Sequence, residues 1–253
     1  VTTDRSVYDA QPNSRKMMCI VTSTLDAADG QAIGGIAHIG SFGGGFDPCW
    51  VFNKGVKKTG ETVCHEVGHT LGLNHDGTGN STYYQGHNNW APIMDAAYST
   101  KTVTIDDPNR LSHWSKGEYS GADNGENDLG IIGGYNGFDI TEDEHADKAT
   151  SDATDLVTET DGKVLSEKNI GIIQTRTDLD VFKFTVPACD LDITAAPYYS
   201  AQLNRYPNLN IKMRLLNSEG TALITEDSLP PTVANTWAAM SASIKLNGLA
   251  EGT

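Results

Sequence analysis

The residues best suited to chemistry in this sequence are three histidines and one glutamate in HEVGHTLGLNH, residues 65 to 75. In a helix, residues four apart lie on one face, so His65 and His69 can present both imidazoles to a single point. Two imidazoles held in this way suit a metal cation. Glu66 lies one position round the helix from His65, outside the row of ligands but within reach of a metal-bound water, as a general base would be.

The third histidine, His75, can join this pair only if the chain leaves the helix and turns back. Gly72 can take the positive φ that such a bend needs, because it has no Cβ. Three neutral imidazole nitrogens with a water in the open position describe a catalytic zinc site, whereas a structural site would need a fourth protein ligand. An isolated HExxH arises by chance in helices, but the longer pattern HExxHxxGxxH makes coincidence a poor explanation.

A helix and several strands are predicted to position this cluster. Val63, Val67 and Leu71 recur four apart in TGETVCHEVGHTLGL, as in a helix with one core-facing stripe that ends at Gly72. Short apolar runs between glycine clusters predict three earlier strands: MMCIVT (17 to 22), GGIAHIGSF (34 to 42) and CWVF (49 to 52). Further along, WSKGEYSGADNGENDLGII (114 to 132) predicts a second helical region.

The composition changes near residue 140, where ITEDEHADKATSDATDL is acidic and poor in apolar residues. Period-two strand patterns separated by turn residues follow: DVFKFTV (180 to 186), DLDIT (190 to 194), NLNIKMRLL (208 to 216) and MSASIKL (240 to 246). This pattern is typical of an all-β sandwich. We therefore predict two domains, residues 1 to 140 and residues 141 to 253.

The overall composition limits the partners that the protein can have. Its 253 residues are 38% hydrophobic, which fits a globular protein with a core. Acidic residues outnumber basic ones by 33 to 18, and the net charge of -15 repels nucleic acids and anionic lipids. No apolar run approaches the roughly 20 residues that cross a bilayer. We expect no nucleic-acid or membrane partner, and we expect a secreted protein whose signal and pro-segment are absent from this chain.

The four cysteines are too few for a disulfide scaffold and lack the CxxC spacing of a structural zinc site. Cys49 and Cys64 both fall close to the histidine cluster. In a secreted protein these two can form a disulfide, and the alternative is two small buried thiols.

Three acidic clusters are candidates for binding Ca²⁺ through carboxylate and carbonyl oxygens. They are residues 105 to 109, 121 to 129 and 139 to 147, and none follows the twelve-position EF-hand loop. The alternative is a solvated acidic surface, which the net charge favours.

Taken with APIMDAAYS (91 to 99), the histidine pattern resembles the metzincin zinc endopeptidases, in which HExxHxxGxxH is followed by a methionine turn. The resemblance implies an α+β catalytic domain with a mixed twisted sheet and an active-site helix. It implies Zn²⁺ as the cofactor, bound by His65, His69 and His75. Glu66 would be the catalytic base, and Met94 would form an apolar floor beneath the metal, although an isolated methionine is usually a core residue.

The resemblance extends to residues around the motif. Asp76 is similar to the aspartate that braces the site in the adamalysin and snapalysin branches, and is otherwise an ordinary turn residue. Tyr98 lies four residues past Met94, not the two seen in astacin-like and serralysin-like enzymes, so we place it in the wall of the specificity pocket. The run GGIAHIGSF (34 to 42) looks like the edge strand that pairs with an extended substrate in these enzymes. Its substrate-facing residues would be Gly35, Ile36, Ala37 and His38.

The two ends of the chain depart from the patterns that they resemble. Metzincin domains usually have a strand and a long helix before the equivalent of VTTDRSVYD, so we expect this chain to begin inside the family domain. Residues 141 to 253 resemble the bacterial pre-peptidase C-terminal domain, a β-sandwich appended to secreted proteases. Such domains normally end with a further strand after a GT sequence, and this chain stops at AEGT, so its C terminus is expected to be incomplete.

These patterns predict a secreted zinc endopeptidase that acts as a monomer on protein or peptide substrates, with a zinc-bound water activated by Glu66. One alternative is a binding or adhesion protein whose zinc site is vestigial, but a dead site would be free to lose its base. Another is a zinc hydrolase of non-peptide amides or esters, which shares the same metal chemistry and differs only in its substrates.

Overall fold

The helix and strands around the histidines are seen in a computed structural model of the chain. It describes residues 2–22, 33–44, 48–95, 110–148, 152–198, 208–227 and 240–249. The chain divides into two units, Val1–Asp139 and Ile140–Thr253. The predicted domain boundary, between residues 140 and 141, falls beside this division.

A three-stranded sheet lies at the start of the first unit. Its strands are β1 (Cys19–Val21), β2 (Gly35–Ile36) and β3 (Cys49–Val51). The order is β1-β3-β2, in which β1 runs parallel to β3 and β2 runs antiparallel to it. The three predicted strands are therefore present, each shorter than its apolar run. The outer position of β2 leaves it with a single strand neighbour among the described residues.

In the sequence, one α-helix precedes the three-stranded sheet and another follows it. Helix α1 (Arg5–Ala10) begins where the Asp4 carboxylate accepts a hydrogen bond from the Ser6 N–H. Helix α2 (Val56–Thr70) is the predicted histidine helix, and it packs against the sheet. No helix in the described part of the chain is long and apolar enough to cross a membrane.

The buried face of α2 differs from the predicted one. Val63, Val67 and Leu71, the expected core-facing stripe, are only half-buried. The buried positions of the helix are instead mostly polar: Thr62, Glu66, Gly68, His69 and Thr70. The predicted apolar stripe was wrong because the buried side of the helix carries the side chains of Glu66 and His69 rather than a row of apolar residues.

The rest of the first unit contains a parallel pair, β4 (Trp90–Pro92) and β5 (Leu111–His113). Helix α3 (Asp128–Gly130) follows and runs into a π-helical turn, Ile131–Tyr135. The predicted second helical region at 114 to 132 is wrong over most of its length, since its residues before Asp128 are irregular. Glycines and the side-chain hydrogen bonds of Asn124 compete with helix formation there.

The second unit consists mainly of paired strands. The strands are β6 (Thr154–Asp155), β7 (Phe182–Lys183), β8 (Cys189–Ala195), β9 (Met213–Leu216), β10 (Leu223–Asp227) and β11 (Ala242–Leu249). β8 pairs antiparallel with β11 and β9 pairs antiparallel with β10, while β6 and β7 are parallel. The described residues place these strands in three separate pairs, so the predicted sandwich stays a prediction.

A buried arginine joins helix α2 to strand β5 and to the turn after β4. Arg110 is 2% exposed, and its guanidinium donates to the carboxylate of Glu61 on the helix. A second nitrogen of the same guanidinium lies 3.9 Å from Asp95 Oδ1. The Ser112 hydroxyl donates to the other oxygen of Glu61 at 2.9 Å, so this carboxylate is bonded on both sides. The Met94 turn is therefore anchored by charge as well as by packing.

We predict that Arg110→Met lowers the free energy of unfolding by about 3 kcal/mol, because it leaves the carboxylates of Glu61 and Asp95 partly buried without their cation. Urea unfolding followed by circular dichroism measures this change. Arg5→Met is the matched control, since Arg5 and Asp9 form an exposed helical pair whose loss costs less than about 0.5 kcal/mol. Equal effects of the two substitutions would contradict this prediction.

Candidate metal centre

Helix α2 presents His65 and His69 on one face, at its C-terminal end. Their ring centroids lie 4.7 Å apart with the planes nearly perpendicular. The i, i+4 spacing places both rings over the same turn, as predicted. The two imidazoles therefore face a shared space beside the helix end.

A sharp bend at Gly72 brings the third imidazole to the same place. Gly72 has a φ of +106°, and its N–H donates to the carbonyl of His69. The Leu73 N–H donates to the Gly68 carbonyl five residues back at 3.1 Å, the bond that closes a helix with a left-handed residue. The ring of His75 then lies 4.6 Å from that of His69 and 5.2 Å from that of His65. The bend predicted at Gly72 is thus present.

Backbone carbonyls fix which nitrogen of each helical histidine faces the shared space. His65 Nδ1 lies 2.9 Å from the Ile93 carbonyl, and His69 Nδ1 lies 2.8 Å from the Leu73 carbonyl. A carbonyl oxygen only accepts, so each Nδ1 must bear the hydrogen and each Nε2 must offer a lone pair. Such an outer hydrogen bond typically orients a metal-binding histidine.

The three rings together offer a compact set of nitrogen ligands. One nitrogen from each of His65, His69 and His75 lies within 4.8 Å of the other two. Nε2 of His69 and Nε2 of His75 are 2.9 Å apart. In a tetrahedral zinc site with Zn–N bonds of about 2.0 Å, neighbouring nitrogens lie roughly 3.3 Å apart. The donor set therefore fits a divalent transition metal, and in the metal-free protein a hydrogen on His75 Nε2 can donate to His69 Nε2.

Burial keeps the three histidines in the neutral form that binds metal. The pKa of His65 is lowered to about 3, first by burial and then by the neighbouring His69. The pKa of His75 is lowered to about 4, first by burial and then by His69. Burial also lowers the pKa of His69 itself. Near neutral pH none of these ligands has to lose a proton before it can coordinate.

Glu66, one residue after His65 on the helix, is buried, with 5% of its surface exposed. Burial, and to a smaller extent Cys19, raises the pKa of its carboxyl to about 8. In the metal-free protein this carboxyl is therefore mainly protonated near neutral pH. The side chain packs against Gly35 of β2, where a Cβ would lie 2.5 Å from Glu66 Oε1. Only glycine at position 35 leaves room for this carboxylate.

The predicted edge strand is shorter than expected. Gly35 and Ile36 form β2 at the outer side of the sheet, and Ile36 is 54% exposed. Ala37 and His38 lie outside the strand, so the predicted strand was too long, while the substrate-facing role of these residues stays a prediction. The chain leaves the sheet after Ile36 because the residues that follow bond to the end of the helix. The Gly40 N–H donates to the carbonyl of His69 at 2.9 Å.

Met94 lies directly against the helix. It is fully buried, and its Sδ would lie 2.7 Å from a Cβ at Gly68. Asp76 is also buried, and its N–H donates to the Met94 carbonyl at 2.9 Å. Its carboxylate accepts a hydrogen bond of 3.4 Å from the Tyr119 hydroxyl, and burial raises its pKa to about 6. Asp76 therefore connects the loop of the third histidine to the methionine turn.

Two residues that hold the His75 loop were not identified from the sequence. Glu126 accepts hydrogen bonds from the backbone N–H and the side-chain amide of Asn74, at 3.0 and 2.6 Å. The side chain of Asn124 donates to the His75 carbonyl at 3.2 Å. Both residues belong to the cluster at 121 to 129, which was considered only for calcium. The partners are about 50 residues apart in sequence, so no local spacing could have paired them.

The possible disulfide between Cys49 and Cys64 is not formed, because both cysteines are free in this structure, and of the alternative, two buried thiols, only Cys49 is buried. Cys49 on β3 lies opposite Cys19 on the parallel strand β1, and its thiol donates to the Met18 carbonyl at 3.6 Å. Cys64 is exposed on helix α2. The two side chains thus lie in different surroundings. Tyr98 and the cluster at 105 to 109 lie outside the described residues.

The raised pKa of Glu66 predicts a pH effect on the stability of the metal-free protein. From pH 4.5 to about 8 this group ionises in the unfolded chain but stays protonated in the folded one, so its stabilisation is lost as pH rises. We expect Glu66→Gln to gain on the order of 3 kcal/mol over the wild type between pH 4 and pH 8. Urea unfolding with a chelator present measures the gain, and the other titrating groups cancel in the difference. A difference that does not change with pH would contradict the prediction.

The chain was compared with known proteins and protein families. Searches against protein-family models, curated proteins and solved structures each found no match for the chain. The chemistry of the site is therefore inferred from the positions of its own side chains and from the motif that they form in the sequence.

Proposed function

We propose that the chain is a secreted zinc-dependent endopeptidase of the metzincin type, as its motif suggests. The observation that supports this most strongly is the meeting of three imidazole nitrogens, two of them from the helix whose buried Glu66 packs against Gly35 of the edge strand β2. A cation site, a proton acceptor and a surface for peptide backbone are the three parts that metal-assisted peptide hydrolysis needs.

The metal would be held by His65, His69 and His75. The Nδ1 bonds of His65 and His69 to backbone carbonyls already set the tautomer and the ring orientation. When bound, zinc supplies a Lewis acid that polarises the scissile carbonyl and makes water a stronger acid. Three protein ligands leave a coordination position open, which distinguishes a catalytic site from a closed structural one.

Glu66 would move the proton. Its carboxylate takes a proton from the attacking water and returns it to the nitrogen of the leaving amine, so the residue ends the cycle as it began. One carboxyl serves both steps, because it accepts the proton as a carboxylate and returns it as the acid. No covalent enzyme intermediate is required, and no serine or cysteine nucleophile is assigned.

Strand β2 would bind the substrate. An extended peptide can add to the exposed side of an edge strand through main-chain hydrogen bonds. Gly35 of this strand lies against Glu66, so a peptide paired with the strand would pass close to the proton acceptor. This proximity favours a peptide over a small non-peptide amide as the substrate.

We predict that Glu66→Gln lowers peptide hydrolysis by about 10²-fold to 10⁴-fold while zinc content stays at one ion per chain, because the base is lost and the ligands remain. A quenched fluorescent peptide library and metal analysis measure the two effects. His69→Ala should lose both zinc and activity. Glu159→Gln, an exposed residue of the second unit, is the matched control and should change neither.

Other outcomes would assign a different function. Zinc binding with no hydrolysis of any peptide, in the wild type as in Glu66→Gln, would favour a binding protein with a vestigial site. Hydrolysis of simple amides or esters with intact peptides untouched would favour a non-peptide hydrolase. Either result would overturn the endopeptidase proposal.

Gly35→Ala provides a second test, directed at the strand rather than the metal. The added Cβ would lie 2.5 Å from Glu66 Oε1 and 2.6 Å from the Trp50 carbonyl, so the carboxylate must move. We expect turnover to fall by about 10²-fold with zinc still bound, since displacing a reacting group by about 1 Å has this effect.

Gly60→Ala on helix α2 is the matched control for Gly35→Ala. Its Cβ would meet nothing within 4 Å, so activity should be unchanged. The helix should gain up to about 1 kcal/mol of stability. Full activity of Gly35→Ala, with a folded circular dichroism spectrum, would contradict the role given to this contact.

A further inference from the structure

A cluster of three aspartates in the second unit is separate from the histidine site. Asp143 lies near the start of this unit, and Asp178 and Asp180 lie just before strand β7. One carboxylate oxygen from each of the three lies within 4.8 Å of the other two. Two oxygens bound to one calcium ion at about 2.4 Å can be no more than about 4.8 Å apart. The spacing therefore allows all three to contact a common ion.

Backbone hydrogen bonds hold the two contributing segments side by side. The Val181 N–H donates to the Ala146 carbonyl at 3.2 Å, and the Leu179 N–H donates to the Asp147 carboxylate at 3.0 Å. The Gln174 N–H donates to Asp178 Oδ2 at 2.7 Å, which orients that carboxylate. The carboxylates are thus positioned by the fold, and do not merely share a solvated surface.

Two oxygens in the cluster have no hydrogen-bond partner. Oδ1 of Asp178 and Oδ1 of Asp180 are both shielded from solvent and have no hydrogen-bond partner in the structure. A buried carboxylate oxygen without a donor is costly, and such groups are normally paired or bound to a metal. Because Asp178 is already held through its other oxygen, the unsatisfied Oδ1 is the atom left for a ligand.

Acidic side chains are crowded around Asp180. Asp178, Glu144 and Asp143 all act on its carboxylate with like charge, and His145 is the basic group that faces it. The imidazole of His145 is itself bonded to the Thr154 hydroxyl and the Ile170 carbonyl, each at 2.8 Å. A cation among these carboxylates would reduce their mutual repulsion.

We propose that Asp143, Asp178 and Asp180 form a Ca²⁺ site that ties the start of the second unit to the segment leading into β7. The donors are all oxygen, which suits a hard cation and does not suit zinc. Ca²⁺ accepts six to eight oxygens in irregular geometry, whereas Mg²⁺ requires a nearly regular octahedron. Asp143 is exposed, so water can complete the coordination on that side.

The test is calcium titration of the full chain by isothermal calorimetry after dialysis against a chelator. We expect one ion to bind with a dissociation constant between about 10⁻⁵ and 10⁻³ M, and to raise the melting temperature. Asp178→Asn and Asp143→Asn should each weaken binding at least tenfold. Asp143 is exposed, so its variant reports on binding even if Asp178→Asn fails to fold. Calcium does not compete for imidazole ligands, so the result is independent of the zinc site.

Asp192→Asn, an exposed carboxylate on β8, is the matched control and should bind calcium as the wild type does. Three results would overturn the proposal. The first is no heat of binding at calcium concentrations up to about 10⁻² M, tenfold above the largest expected dissociation constant. The second is binding that Asp143→Asn leaves unchanged, and the third is binding of Mg²⁺ at equal affinity.

Discussion

The candidate site depends on the short distance between two imidazole nitrogens that face each other. Nε2 of His69 and Nε2 of His75 lie 2.9 Å apart, while the Leu73 carbonyl fixes the hydrogen of His69 on its other nitrogen. A hydrogen on His75 Nε2 can join the two rings by donating to His69 Nε2, and a cation bound by both nitrogens can take the place of this hydrogen bond. Burial lowers the pKa of each ring, so both imidazoles are neutral near pH 7 and neither has to discard a positive charge to bind a metal. The proposed metal ion would be bound by both nitrogens at once.

The surrounding structure maintains this arrangement by close packing and by buried charge. Gly68 admits Met94 beneath the helix, and Gly35 admits Glu66 beside the sheet. On the other side of α2, the buried Arg110 attaches the helix to β5 and to the methionine turn. These contacts join segments that are far apart in sequence, so the three histidines, Glu66 and the edge strand are positioned together by the fold. The proposed catalytic site would need such preorganisation.

The sequence predicted what depends on local geometry. Spacing alone placed His65 and His69 on one helical face, and a glycine at position 72 predicted the bend that returns His75. Contacts between residues that are far apart in the sequence could not be predicted from it. No spacing rule relates Glu126 to Asn74, and none shows that the chain after Ile36 bonds to the end of the helix and leaves the sheet. The proposed calcium site is intermediate: the acidic stretch containing Asp143 was identified, but its partners near β7 were not.

The most direct test of the metal centre is X-ray absorption at the zinc edge on the full chain reconstituted with one equivalent of zinc. We predict three imidazole nitrogens and one oxygen at about 2.0 Å, and the loss of one imidazole in His75→Ala. A spectrum that His75→Ala leaves unchanged, or one with only oxygen ligands, would contradict the account.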